Sequence, residues 1–133
     1  MYRTRLLVGA LVIPLIFSAG CTRRNAVEDA SHVQVELIEI RPTPIQVGDA
    51  MLVLRLADRD NRPIEGARIQ VRGDMSHAGM VPVFGDAQEQ GDGIYLVPFE
   101  WTMAGDWILT VSGTLGDDSR FEDQIQVVVA SGD

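Results

Sequence analysis

The chain has 133 residues, of which 46% are hydrophobic and 23% charged, with a formal net charge of −8 and one cysteine. An acidic surface repels phosphates and anionic headgroups, which argues against nucleic acid and against a basic membrane patch. One cysteine excludes a disulfide framework within a single copy, and the residues beyond the N-terminal segment suffice for one modest core, so one domain is expected.

Residues 1–20 read as an export signal. Arg3 and Arg5 precede an apolar run from Leu6 to Phe17, which closes on Ser18, Ala19, Gly20 and Cys21. The run is shorter than the ~18–20 residues that span a bilayer, and Pro14 interrupts it. A cysteine directly after small residues resembles the bacterial lipobox, with Ser18 where leucine is commonest, so Cys21 is the expected lipidation site. An ordinary signal followed by a coincidental cysteine is the alternative. Lipidation would anchor the protein to a membrane in the cell envelope, facing the periplasm or the cell exterior, and would account for an unpaired cysteine in an exported chain. From Cys21 to His32 the sequence is polar and without period, which reads as a flexible tether.

Residues 33–133 carry short β-branched segments separated by Gly, Pro, Asn and Asp. Val33–Arg41 alternates through Val33, Val35 and Leu37, then slips one residue to Ile38 and Ile40, which predicts a β-bulge. Met51–Ala57 points Leu52, Leu54 and Leu56 one way. Arg68–Gly73 turns Ile69 and Val71 inward and Arg68, Gln70 and Arg72 outward. A short strand is expected at Val81–Phe84, then Ile94–Trp101, a strand through Trp107, Leu109 and Val111, and a last one through Ile125, Val127 and Val129. Asp58–Pro63 and Asp92-Gly93 read as turns, and Gly105 as a sharp reversal. Six or seven strands and no helical period after the signal predict an all-β, immunoglobulin-like antiparallel sandwich.

The stretch that could carry chemistry is Met75-Ser76-His77-Ala78-Gly79-Met80. Thioethers with imidazole suit Cu(I), whereas oxygen-rich clusters suit Mg or Ca. Met75 and His77, two apart, share a side if the chain is extended there, and Ala78-Gly79 could fold Met80 back toward them. Connections in an antiparallel sandwich alternate between its two ends, so this loop and the turn holding Met103 are expected at one pole. The tether and His32 are expected at the other. Against this stands the ordinary role of Met as a gap filler in small cores and of a lone His as a surface residue.

Other chemistries lack their residues. No nucleophile elbow accompanies His77, Ser76 or Ser112, two histidines at opposite poles do not make a zinc site, and Asp58, Asp60 and Asn61 lack the rest of a calcium loop. The chain is expected not to be an enzyme.

Taken together, Asn61–Ala67, the Met-Ser-His-Ala-Gly-Met loop, Gly93-Ile94-Tyr95, Phe99 and Met103-Ala104-Gly105-Asp106-Trp107 resemble the YtkA-like family, related to FixH, over Asn61 to Val111. The resemblance implies an envelope-facing immunoglobulin-like sandwich linked to copper handling or to copper-containing respiratory oxidases. It implies metal-binding positions at Met75, His77, Met80 and Met103, and core positions at Tyr95 and Trp107. The expected function is therefore a membrane-anchored lipoprotein that binds copper as Cu(I) and hands it to a protein partner in copper delivery or respiratory complex assembly. The alternative is a non-catalytic interaction module that supports assembly of an envelope complex.

Overall fold

The computed structural model describes residues 30–77 and 79–132; the segment read as an export signal, Cys21 and Ala78 lie outside the described residues. Eight strands run in order: β1 (Gln34–Arg41), β2 (Gly48–Ala57), β3 (Arg68–Met75), β4 (Val83–Asp86), β5 (Gln88–Gly91), β6 (Ile94–Trp101), β7 (Gly105–Thr114) and β8 (Arg120–Val129). They form two four-stranded antiparallel sheets, ordered β1-β2-β6-β5 and β4-β3-β7-β8. With β4 as an added edge, this is the strand order of the immunoglobulin constant-type sandwich.

Alternation along the strands builds the core. Leu52, Leu54 and Leu56 of β2 are fully buried, and they meet Ile69 and Val71 of β3, Tyr95, Val97 and Phe99 of β6, and Trp107, Leu109 and Val111 of β7. The intervening Arg68, Gln70 and Arg72 stay in solvent. The phase slip in β1 is a register shift between Leu37 and Glu39, which lets both halves of the strand turn apolar residues toward the core.

The sandwich has one strand more than the six or seven expected. β5 is Gln88-Glu89-Gln90-Gly91, with no apolar face to detect. An edge strand needs only its backbone ladder to one neighbour, here β6, and its side chains can remain wet. A single residue, Ala87, separates β5 from β4 while the chain passes from one sheet to the other, so the two strands together make one traverse of the sandwich. β4 itself lies two residues later than expected, and β8 begins at Arg120 rather than near Ile125 because its first half is polar on the solvent face.

Counting β4 and β5 as one traverse sets the two ends of the molecule. One pole collects the β1–β2 loop (42–47), the β3–β4 loop (76–82) and the β6–β7 turn (102–104), together with the residues after β8. The chain comes in at the other pole. There Ala30, within the segment read as tether, is buried and donates its N–H to the Arg120 carbonyl at 2.8 Å.

Candidate functional site

Met75 is the last residue of β3 and pairs in register with Trp107. Its side chain is buried among core residues, with Cε 3.0 Å from where a Cβ on Gly105 would stand. Gly105 opens β7 at a φ of 131°, a backbone conformation that side-chain-bearing residues rarely adopt, and the absence of a side chain there is also what lets the thioether lie against the turn. Beyond Met75 the two strands hold on for one more residue, as Ser76 donates its N–H to the Asp106 carbonyl at 3.4 Å. On the other side of the turn the Trp107 indole N–H donates to the Met103 carbonyl at 3.0 Å, which ties the 102–104 turn down onto the aromatic layer.

The fold thus brings the Met75 end of β3 and the Met103 turn to one pole, as strand alternation predicts. It treats the four side chains differently. Met75 is buried, Met80 is half-buried against the core, and His77 and Met103 are exposed. Met75 and His77 do not share a face as an extended stretch would place them, because the strand stops at Met75: Ser76 and His77 fall in a bend where both side chains reach solvent. His32 lies at the far pole, near Asp117, whose carboxyl is held below its ordinary value mainly by the hydrogen bonds from Ser119.

Beneath the pole is a layer of three rings that the sequence pattern does not assemble. Phe99, Trp101 and Trp107 meet edge-to-face, with centroids 4.9 Å apart for Phe99–Trp101, 5.3 Å for Trp101–Trp107 and 6.3 Å for Phe99–Trp107. Parity along β6 puts Phe99 and Trp101 on one face, but their meeting with Trp107 depends on how the two sheets are laid together. Gly73 makes room for the layer, since a Cβ there would run into the Phe99 ring. The Trp101 indole nitrogen is buried with no hydrogen-bond partner among the described residues. As a donor it cannot ligate a cation, so it adds nothing to a metal site.

Among the described residues no group of three His, Cys, Asp or Glu is placed to hold a metal ion. The donors this pole does offer are thioethers and one imidazole, a set matched to a soft monovalent cation and poor for hard ions. At the far pole, the structure gives Tyr95 of the Gly93-Ile94-Tyr95 segment a definite task. Its hydroxyl donates to the Ile64 carbonyl at 2.9 Å and accepts from the Ala67 N–H at 3.2 Å, pinning the 58–67 loop to the sandwich, and burial raises its pKa. That role is structural.

No curated protein and no solved structure matches the chain. The family model described as YtkA-like matches residues 28–112, which takes in β1 through β6 and most of β7 and leaves β8 outside. The matched span contains the Met75–Met80 loop, the Met103 turn, the aromatic layer and the Tyr95 anchor, and the chain belongs to the YtkA-like family.

Proposed function

We propose that this protein is an envelope lipoprotein, anchored through Cys21, that binds Cu(I) with the thioethers of Met75, Met80 and Met103 and the ring of His77. The observation that carries the reading is the gathering of soft donors at one pole: Met75 lies against Gly105, and the Met103 turn is tied to Trp107, the residue paired with Met75 across β3 and β7. Thioethers stay unprotonated in acidic surroundings and are not consumed by disulfide formation, which suits an exported soft-metal carrier. His77 and Met103, being exposed, are the donors through which ligand exchange with a partner would begin. The burial of Met75 also favours a second reading, in which that residue is simply core and the domain is a non-catalytic interaction module.

Anaerobic Cu(I) titration against a competing chelator tests the choice, using a soluble form beginning at Thr22. His77→Ala and Met103→Ala remove exposed side chains, so each is expected to weaken Cu(I) binding by roughly tenfold, the cost of about 1.4 kcal/mol, without loss of thermal stability. Met75→Ala/Met80→Ala is expected to weaken it further. Equal, weak uptake by all four proteins would leave the interaction module as the better account.

A further inference from the structure

We infer that the pole carrying the Met75–Met80 loop is a protein-docking tip, whose occupant is another protein with an apolar, uncharged centre and a basic rim. The inference goes beyond the copper reading and does not need it, but it rests on the same anchor at Cys21.

The two poles differ in kind. At the far pole the loops carry Asp58, Arg59, Asp60, Arg62 and Glu65, then Asp92, then Asp117 and Asp118. At the tip, residues 42–47, 76–82, 102–104 and 130–132 hold no Asp, Glu, Lys or Arg at all. Apolar side chains stand exposed there instead: Val81 at 80%, Val128 at 69%, Met103 and Val47 at 46%. In a chain that is 23% charged, a cluster of loops without charge among the described residues and with several exposed apolar side chains has the anatomy of an interface centre.

Charge resumes around this centre as a rim. Arg41 is paired with Glu39, and Arg72 with Asp74. Asp49, Glu100 and Asp106 are exposed and have no ion-pair partner among the described residues. Asp49 and Glu100 face each other directly across β2 and β6, a like-charge pairing that disfavours the sheet. The unneutralised rim is acidic, so the complementary surface is basic.

With the anchor at Cys21, geometry argues against the anchoring membrane and a second copy as the occupant. β7 and β8 are ten residues each, about 33 Å at ~3.3 Å per residue, and the chain comes in at Ala30 on the pole opposite the tip. Cys21 to Ala30 spans at most about 32 Å even fully extended. Laying the tip on the bilayer would need that whole length drawn straight along the domain. Two copies anchored in one leaflet point their tips the same way, and tip-to-tip pairing would put their anchors on opposite sides, roughly 66 Å apart.

The test places a benzophenone amino acid at Val81 or Val47 on the tip, and at Arg59 or Asp92 on the far pole, in the full-length protein within the envelope of the cells that make it. Irradiation is expected to join the tip positions to one other protein of defined mass, through a segment bearing Lys or Arg beside apolar residues, and to leave the far-pole positions unjoined. Val128→Asp, or Asp49→Lys with Glu100→Lys, is expected to cut that product by roughly tenfold while leaving the thermal midpoint in place. His77→Ala, which removes a proposed Cu(I) ligand and none of these exposed apolar side chains, should keep the product, which separates docking from metal binding. Equal joining from both poles, a product with a second copy or with lipid, no product from the tip, or a product indifferent to these tip and rim substitutions would overturn the proposal.

Discussion

Gly105→Ala tests how the β6–β7 turn and Met75 are built together. The substitution puts a Cβ on a residue whose φ is 131° and 3.0 Å from the Met75 Cε. Gly48 provides the comparison: its φ is 123°, and a Cβ there meets nothing within 4 Å. Both replacements carry the backbone penalty of a side chain in a sparsely populated conformation, about 1–3 kcal/mol. Only Gly105→Ala also presses on Met75, and because the far end of a methionine is flexible this adds less than about 1 kcal/mol. For a domain of this size each kcal/mol lowers the melting temperature by roughly 4–8 °C, so Gly48→Ala is expected to melt roughly 4–24 °C below the parent and Gly105→Ala lower still by up to about 8 °C. Scanning calorimetry on the two proteins measures this. Cu(I) titration then separates them, because Gly105→Ala displaces a proposed ligand and Gly48→Ala does not. Full retention of stability in Gly48→Ala would refute the strain reasoning; equal Cu(I) affinity in both would refute the placement of Met75 in the site.

Packing and hydrogen bonds set three further outcomes. Leu54→Ala removes a side chain with no exposure from the centre of β2 and is expected to cost about 2–5 kcal/mol in urea unfolding, against less than about 0.5 for Gln124→Ala on the solvent face of β8. Tyr95→Phe leaves the Ala67 N–H and Ile64 carbonyl without their partner, about 1–2 kcal/mol at neutral pH. Because burial raises the Tyr95 pKa, its contribution is complete below about pH 10, where a free tyrosine titrates, and is lost as pH rises through the higher folded value; Tyr95→Phe should flatten that alkaline limb of the stability curve. Asp117 has the opposite sign: its pKa is lowered, mainly by Ser119, so its contribution is present above the usual carboxylate range and is lost as pH falls through the lowered value, and Asp117→Asn should remove that component of the acid limb.

Much of the candidate site was legible because strand parity and connection counting are topological. An antiparallel sandwich must return its chain to alternate ends, so the Met75 loop and the Met103 turn share a pole because one traverse, here divided between β4 and β5, separates β3 from β6. What parity could not supply was where β3 ends. Two residues apart mean a shared face only while the strand lasts, and the ladder to β7 gives out after Met75, leaving His77 in solvent while Met75 stays in the core. The antiparallel pairing of β1 with β2 brings the β1–β2 loop to the same pole, and the apolar Val47 and the Gln46–Ala130 bridge acquire meaning only once that loop is set beside the others.

By itself the sequence determined the class of fold and its inner face. Period-two alternation of Leu52, Leu54 and Leu56, of Ile69 and Val71, and of Trp107, Leu109 and Val111 commits those segments to half-buried strands, since a one-residue slip would turn every apolar side chain into water. Turn chemistry likewise marked Asp92-Gly93 and Gly105, all of which adopt positive φ. The tertiary structure alone decided the polar edge strand β5, the meeting of Phe99, Trp101 and Trp107 across two sheets, and the gathering of the uncharged 42–47, 76–82 and 102–104 loops at one end of the molecule. Each depends on which strands lie side by side, and pairing between segments distant in the chain leaves no periodic trace in either of them.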